Sequence, residues 1–173
     1  AEKITPLMTR IMDATLVLHG EHTINASTFT AMVTSSTLAN ASQVVASAIG
    51  SLSGPLHGGA NEKVIAMLQK IESKEEIRPW LDETLKAKNV VWGMGHREYS
   101  VKDPRANILT DMVQELFEER EGGVTDIFDK AIELEKACEE KLSHKGVYPN
   151  VDFYSGILYK EMDIPTDIFT PIF

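Results

Sequence analysis

Apolar positions recur every three or four residues along most of the 173-residue chain, which is the period of an amphipathic helix. Pro6 and Pro104 each follow a residue suited to cap a helix, and proline favours the first helical position. Gly54-Pro55 is a clear stop signal. Together these patterns predict helices over about 6–18, 27–53, 60–72, 76–87, 104–119, 126–144 and 153–162, with a further one at the C-terminal end.

Only one short stretch has the character of a β-strand. The residues "NVVW", 89–92, are rich in β-branched and aromatic side chains. The chain contains neither an internal repeat nor a low-complexity tract. The predicted fold class is therefore all-α.

The segment from His22 to Asn61 contains no Asp, Glu, Lys or Arg and is rich in Ala, Ser and Thr. A helix that is uncharged on every face is normally enclosed by protein. Small side chains also let neighbouring helices approach closely. Two locations follow from this composition, the centre of the core and a subunit interface, and the composition alone does not separate them.

Charge and cysteine content limit the class of protein. With 17 basic and 26 acidic residues the net charge is −9, so nonspecific binding to nucleic acid is not expected. The single cysteine, Cys138, lies in the charged stretch "EKACEEK" and is predicted to be structural, in a cytoplasmic protein. There is no uninterrupted apolar run of about 18 residues, so no membrane span is predicted.

The two ends of the sequence are unusual. The chain begins "AEKITP" without an initiator methionine and finishes with the apolar run "DIFTPIF". Natural termini tend to be polar. We therefore expect the sequence to be part of a longer polypeptide, and expect this part alone to be inactive.

His57 is the first candidate for chemistry, because "GPLHGGAN", 54–61, places glycines on both sides of it. Because glycine has no side chain, this pattern predicts space for a ligand beside the imidazole ring. The helix expected to start near Gly59 would direct its positive end at the imidazole, which disfavours the cation. A neutral imidazole can donate a hydrogen bond to an oxygen on which negative charge develops.

Three further residues stand in distinctive contexts. His96 follows Gly93 and Gly95 in a loop expected to expose backbone groups that could hold a flat heterocycle or a phosphate. Arg105 belongs to a "DPR" helix start and is either a surface charge or an anion-binding group. Asp152 lies just before a predicted helix, where an N-cap is the ordinary interpretation and a general base is the alternative.

Other reaction classes lack their sequence patterns. His19 and His22 are spaced to share one helix face, but Gly20 weakens the helix between them, and neither H-E-x-x-H nor a paired C-x-x-C is present. No metal site is therefore predicted. The chain also contains neither a G-x-S-x-G elbow nor a P-loop.

Four segments, taken together, are similar to one family. They are "LHGEHTINASTF" (18–29), "GPLHGGANEKV" (54–64), "GMGHREYSVKDPR" (93–105) and "PNVDFYSGILY" (149–159). In this order and spacing they resemble citrate synthase and the related 2-methylcitrate synthase, in the form of the shorter bacterial and archaeal enzymes. The resemblance covers essentially the whole chain.

The resemblance implies an all-α enzyme that joins an acyl-CoA to oxaloacetate by a Claisen-type condensation and then hydrolyses the thioester. It implies no metal and no permanently bound cofactor, with a coenzyme A thioester as co-substrate. By position in the motifs, Asp152 would remove the proton from the acyl carbon. His57 would donate to the thioester oxygen, and His96 would polarise the ketone of oxaloacetate.

The same resemblance implies the binding groups. His22 and Arg105 would hold oxaloacetate, with the guanidinium of the arginine pairing with a carboxylate. The loop that receives the adenine of CoA would consist of Val91, Trp92, Gly93, Met94 and Gly95. Met94 departs from the aromatic residue often found there, which leaves the shape of that loop open.

The resemblance also divides the chain. Residues 1–56 would be helices of a large domain, residues 57–151 would form most of a small CoA-binding domain, and residues 152–173 would lead back to the large domain. A homodimer is implied, with the charge-free segment in its interface. Three alternatives stay open: a 2-methylcitrate synthase using propionyl-CoA, a non-catalytic helical interaction module, and a metal-dependent hydrolase.

Overall fold

The computed structural model describes residues 4–20, 23–96, 99–119 and 123–173. Across these ranges the chain forms nine α-helices and, at 74–76, 143–145 and 166–168, three single turns of 3₁₀-helix. The helices are α1 (Pro6–Gly20), α2 (Ala26–Ser36), α3 (Ala41–Leu52), α4 (Ala60–Lys70), α5 (Ile77–Lys86), α6 (Pro104–Glu119), α7 (Asp126–Leu142), α8 (Val151–Glu161) and α9 (Phe169–Ile172). The predicted all-α class is confirmed.

The expected single helix over 27–53 is wrong, because the structure has two helices there. Leu38, in the turn between α2 and α3, has a positive φ of 63°. Asn40 then caps α3 through a reciprocal pair of hydrogen bonds with Gln43. The two helices contact each other, and the hydroxyls of Thr34 and Ser47 lie 2.9 Å apart between them. The apolar spacing is continuous through the turn, so periodicity alone gave no sign of the break.

The predicted strand at 89–92 is also absent from the described residues. Its place is taken by a turn in which Gly93 and Gly95 have positive φ angles of 79° and 86°. The nearest approach to a strand is an isolated antiparallel bridge between Met94 and Pro149. A strand needs a neighbouring strand to complete its hydrogen bonds. Within the described residues, the isolated bridge to Pro149 is too short to serve as that neighbour.

Helix α8 lies at the centre of the fold. Every residue from Val151 to Tyr159 is buried except Asp152. The helix packs against α4 on one side and α6 on another, while α5 and α7 pack against each other. A helix enclosed on all sides has to be apolar around its circumference, so the carboxyl side chain of Asp152 at its N-terminal end stands out.

Helices α2 and α3 contain no buried residue. Large apolar side chains are exposed on both, including Phe29, Met32 and Val33 on α2 and Val45 and Ile49 on α3. A core location for the charge-free segment is therefore wrong within this chain. The interface location stays a prediction.

Two other expectations concern the chain as a whole. The proposed domain boundaries at 56/57 and 151/152 fall in the turn before α4 and at the start of α8, and that division stays a prediction. None of the helices in the described ranges combines the length and apolar character needed to cross a membrane. Cys138 is buried in α7, and burial raises the pKa of its thiol to about 12, which makes it unreactive.

The crossing of α8 and α4 gives a first testable prediction. A Cβ atom at Gly156 would lie 2.6 Å from the backbone oxygen of Asn61, so Gly156→Ala forces the two helices apart. We expect this change to lower the free energy of unfolding by about 1–3 kcal/mol, measured by urea denaturation of the full-length protein. Gly20→Ala is the control, because no atom of the described residues lies within 4 Å of a Cβ atom placed there. Equal stability of the two variants would contradict the close crossing.

Candidate active site

Seven parts of the chain line one cavity of about 320 Å³, and one of them is the C-terminal residue Phe173. The end of α1, the segment before α2, the turn before α4, the loop before α6, and the starts of α6 and α8 all contribute. Among the sequence-predicted residues, His57, His96, Arg105 and Asp152 meet here, together with Gly95 from the predicted adenine loop. His22 lies outside the described residues.

Asp152 is the second residue of α8, and it does not cap the helix. Asn150 is the N-cap, and its Oδ1 accepts the backbone N–H of Asp152 at 3.0 Å. The N-cap interpretation of Asp152 is therefore wrong. Its own Oδ1 is enclosed and has no hydrogen-bond partner among the described residues. Burial raises the pKa of Asp152 to about 7, an effect that Arg105 opposes and Asp103 reinforces. A carboxylate with this pKa is suited to accept and return a proton near neutral pH.

Asn150 also holds the loop before α6 against the start of α8. Its Nδ2 donates to the carbonyl oxygen of Gly95 at 2.8 Å, and its backbone N–H donates to that of Gly93 at 2.9 Å. The N–H of Gly95 in turn donates to the carbonyl of Tyr148 at 2.7 Å. This clamp brings the loop that carries His96 next to Asp152.

The clamp changes the expectation for the predicted adenine loop. Sequence analysis expected its backbone groups to face a ligand, but the N–H and C=O of Gly95 and the C=O of Gly93 are engaged within the chain. Gly93 is also required for packing, since a Cβ there would lie 2.8 Å from that of Phe153. Val91 is buried, and Trp92 and Met94 are half-buried. The role of residues 91–95 in adenine binding stays a prediction.

The glycines beside His57 have a different purpose from the one expected. A Cβ at Gly58 would lie 2.7 Å from the carbonyl oxygen and the Cδ1 of Leu52, and one at Gly59 would lie 3.3 Å from the backbone of Gly54 and Pro55. The space beside these glycines is thus filled by the turn itself. They allow the chain to fold tightly between α3 and α4, rather than clearing a path for a ligand.

The tautomer of the His57 ring is set by the N-terminus of α2. The backbone N–H of Ser27, in the first turn of α2, donates to Nε2 of His57 at 3.3 Å, and the Ser27 hydroxyl lies 2.9 Å from the same nitrogen. A backbone N–H can only donate, so Nε2 is the acceptor and the proton of the neutral ring is on Nδ1. Burial lowers the pKa of His57. The ring is therefore neutral, as expected, but it contacts α2 and not only the start of α4.

Arg105 is held by the aspartate at the start of its own helix. Its Nε donates to Oδ1 of Asp103 at 3.1 Å and its Nη2 donates to Oδ2 at 2.8 Å. Asp103 is almost fully buried. Burial opposes its ionisation, but the hydrogen bonds from Arg105 outweigh this and leave the pKa of Asp103 below its usual value. Asp103 does not bond to Nη1 of the fixed guanidinium. Nη1 can therefore donate a hydrogen bond to an anion in the cavity.

His96 lies on the cavity wall with its ring 4.8 Å from that of Tyr99. It is close enough to Asp103 to contribute to the lowered pKa of that carboxyl. The imidazole, the Arg105 guanidinium and the Asp152 carboxylate thus face one space from the loop, from α6 and from α8. This arrangement can bind an anionic substrate and move a proton beside it.

Several residues of the site were not identified from the sequence as part of it. Ser27 and Asn150 were missed because their partners lie 30 and 55 positions away along the chain. Phe173 also lines the cavity, with its ring 4.7 Å from that of His19 and 6.1 Å from that of His57. The only available signal was the capping pattern of "NAS" and "NVD", in which an Asn precedes each helix.

His19 was considered only as half of a metal-binding pair. In the structure its Nδ1 lies 2.7 Å from the carbonyl oxygen of Thr15. Among the described residues, no three His, Cys, Asp or Glu side chains are grouped closely enough to hold a metal ion. His19 therefore belongs to the wall of the cavity, beside the C-terminal end of α1.

Comparisons with known proteins identify the family of the chain. The family described as "Citrate synthase, C-terminal domain" matches residues 1–173. A citrate synthase of Synechocystis is 53% identical over 168 residues, covering 97% of this chain and 42% of that protein. One of Acidithiobacillus ferridurans is 49% identical over 168 residues, covering 97% of the chain and 44% of that protein.

Solved structures show the same relationship. A citrate synthase of Thermotoga maritima superposes with a TM-score of 0.89 at 38% identity, covering 98% of this chain and 46% of the other. A ternary complex of the Thermoplasma acidophilum enzyme with carboxymethyl coenzyme A and oxaloacetate superposes with a TM-score of 0.90 at 33% identity, covering 99% and 45%. The chain thus spans less than half the length of these relatives, and over that span it belongs to the citrate synthase family.

Proposed function

We propose that the protein carrying this chain condenses acetyl-CoA with oxaloacetate to give citrate and free CoA. The observation that supports this most directly is the meeting of the Asp152 carboxylate, the neutral His57 ring and the fixed Arg105 guanidinium in one cavity. The relative from Thermoplasma acidophilum was solved with a CoA analogue and oxaloacetate. Because the chain covers less than half of its relatives, the activity is assigned to the longer protein.

The first step is removal of a proton from the acyl carbon next to the thioester. Such a carbon acid is far too weak for an ordinary carboxylate to deprotonate. The raised pKa of Asp152 makes it a stronger base, and the Nδ1–H of His57 donates to the thioester oxygen as the enolate forms. The proton moves to Asp152, and the electron pair of the C–H bond moves into the enolate.

The second step joins two carbons. The enolate carbon attacks the ketone of oxaloacetate, whose oxygen gains negative charge and is stabilised by His96. Arg105, and His22 by resemblance, hold the carboxylates of oxaloacetate so that the ketone faces the enolate. Hydrolysis of the thioester then releases CoA and citrate. Closure of residues 57–151 over the cavity would keep water away from the enolate until that stage.

Substitution of the proposed base tests this mechanism. Asp152→Asn preserves the shape of the side chain but cannot accept the proton, so kcat should fall by roughly 10²–10⁴-fold. The measurement is thiol release from acetyl-CoA on addition of oxaloacetate to the full-length protein, with propionyl-CoA in parallel. Asp163→Asn is the control, since Asp163 is exposed in the turn after α8. Unchanged turnover in Asp152→Asn would contradict the assignment of the base and would favour a non-catalytic role for this chain within the longer protein.

The pH dependence of the same reaction follows from the pKa of Asp152. Only the ionised carboxylate can take the proton, and its pKa is raised to about 7. We therefore expect kcat/KM to fall as the pH is lowered through 7, since this ratio reports the pKa of the free enzyme. An acid limb centred near the ordinary aspartate value would contradict the raised pKa of Asp152.

The pairing of Arg105 with Asp103 gives a prediction for substrate binding. Asp103→Asn retains an oxygen for the backbone N–H of Arg105 but loses the charge that orients the guanidinium. A hydrogen bond to a charged group contributes about 1.5–3 kcal/mol, so we expect KM for oxaloacetate to rise roughly 10-fold or more. KM for acetyl-CoA should change little. Asp129→Asn, a half-exposed aspartate in the first turn of α7, is the control.

The apolar surface of α2 and α3 supports a homodimer as the working form. Phe29, Met32 and Val33 share one face of α2, and Val45 and Ile49 share one face of α3. Contiguous exposed apolar surface of this kind marks an interaction site. A second copy of the same protein is the partner proposed here.

A charge on that surface tests the homodimer. Val33→Glu should dissociate the dimer, because an unpaired carboxylate would be buried at the interface. Light scattering coupled to size-exclusion chromatography of the full-length protein would report the mass. Val124→Glu is the control, since Val124 is equally exposed but lies before α7. A wild-type monomer would contradict the assignment, and so would a Val33→Glu dimer.

A further inference from the structure

An ion pair outside the cavity joins three parts of the fold. Oε1 of Glu135, on α7, lies 2.6 Å from the ammonium group of Lys102, which belongs to the segment just before α6. Oε2 of the same carboxylate accepts a hydrogen bond from the hydroxyl of Tyr154 on α8. Neither Glu135 nor Lys102 is among the residues that line the cavity. A single carboxylate therefore connects α7, α8 and the segment before α6 without contacting the site.

The position of Tyr154 shows on which side of α8 this carboxylate lies. Tyr154 follows Asp152 by two positions, and at 3.6 residues per turn two positions rotate a side chain by about 200° around the helix. Asp152 lines the cavity, so Tyr154 points to the opposite side of α8. Glu135 therefore contacts α8 from the side that faces away from the cavity.

The surroundings of this ion pair favour a fixed geometry. The side chains of Glu135 and Lys102 are 16% and 27% exposed, so solvent ions screen the pair less than they screen a surface pair. The Lys102 ammonium also lies 5.2 Å from the centroid of the Tyr154 ring, within the range of a cation–π contact. Burial, reinforced by the Glu135 carboxylate, raises the pKa of the Tyr154 hydroxyl, which keeps it protonated as a donor; Thr110 on α6 is a further hydrogen-bond partner of that hydroxyl.

The connection from this ion pair to the site is the residue that follows Lys102. Asp103 receives two hydrogen bonds from the guanidinium of Arg105, at 3.1 and 2.8 Å. Its backbone N–H donates to the carbonyl oxygen of Pro149 at 3.4 Å, which is long for such a bond. Consecutive Cα atoms are only about 3.8 Å apart. A displacement of Lys102 therefore moves Asp103, and with it the guanidinium.

We propose that Glu135 is a positioning residue for oxaloacetate, which acts on Arg105 through Lys102 and Asp103. It holds the segment before α6 from outside the cavity, so that the Asp103 carboxylate keeps the guanidinium directed at the substrate. The inference rests on the proposed function in one respect, namely that Arg105 binds a carboxylate of oxaloacetate. It adds a requirement for substrate binding that none of the cavity-lining residues contains.

A matched pair of substitutions on α7 tests the role of Glu135. Glu135→Gln preserves the shape of the side chain and an oxygen for Tyr154, but removes the charge that holds Lys102. Glu133→Gln is the control, because the Glu133 side chain is 18% exposed and pairs at the same 2.6 Å with Arg78 on α5. Both are made in the full-length protein.

We expect KM for oxaloacetate to rise roughly 3–10-fold in Glu135→Gln, as loss of a partly shielded ion pair implies. KM for acetyl-CoA and kcat should stay close to the wild-type values, and Glu133→Gln should leave all three unchanged. An unchanged KM for oxaloacetate in Glu135→Gln would overturn the proposal. An equal rise in both variants, or for both substrates, would mean that the carboxylate only stabilises the fold, and would overturn it too.

Combined substitutions test the route of the effect. If Glu135 acts through Asp103, then adding Glu135→Gln to Asp103→Asn raises KM for oxaloacetate no further than Asp103→Asn alone. Effects that multiply would show that the two residues act independently, which contradicts the proposal. Lys102→Met removes the other half of the ion pair and should reproduce the rise seen in Glu135→Gln. It also serves as the test variant if Glu135→Gln does not fold, and a wild-type KM in Lys102→Met would overturn the proposal.

A measurement without substrates keeps this inference separate from the proposed reaction. In protein labelled with ¹⁵N-arginine, the Nε–H group of Arg105 gives an NMR signal that is assigned by its loss in Arg105→Lys. The hydrogen bond to Asp103 slows exchange of that hydrogen with water. We expect exchange to become roughly 3–10-fold faster in Glu135→Gln and to stay unchanged in Glu133→Gln. Unchanged exchange in Glu135→Gln would overturn the positioning role, whereas a wild-type protein that forms no citrate would overturn the proposed function alone.

Discussion

The hydrogen bonds of Asn150 are the constraint on which the candidate site depends. One end of its amide accepts the N–H of Asp152 and so starts the central helix α8, while the other end donates to Gly95 in the loop that carries His96. A single side chain therefore holds the proposed base, Asp152, next to the loop that carries His96. Only an amide can do both, since a carboxylate has no hydrogen to donate and a hydroxyl is too short to span the gap.

Local signals in the sequence were sufficient for most of the helices. Pro6 and Pro104 marked two helix starts correctly, because proline is compatible with the first turn whatever the fold around it. The break at Leu38 was missed because no glycine or proline marks it, and the capping pair of Asn40 and Gln43 that follows is a weak signal within an apolar run. Residues 89–92 were mistaken for a strand because their β-branched and aromatic side chains are a local signal, whereas the close packing of the following Gly93 against Phe153 depends on a helix distant in the sequence.

The site was predicted less completely than the fold. The motifs identified His57, His96, Arg105 and Asp152 by resemblance, and the structure brings these four together. The residues that orient these four side chains could not be identified from the motifs. Ser27 determines which nitrogen of His57 carries the proton. This is visible only in the folded structure, where the first turn of α2 lies beside the turn before α4.

The short helix α2 couples two surfaces of the molecule. Its first turn holds Nε2 of His57 through Ser27, and its outer face carries Phe29 and Val33. The helix has only 11 residues, so its outer face lies close to its first turn. In the proposed homodimer, a partner packed on that face would therefore also influence how the imidazole is aligned, and the hydrogen bond that the ring donates in the cavity would depend on the assembled protein as well as on one chain.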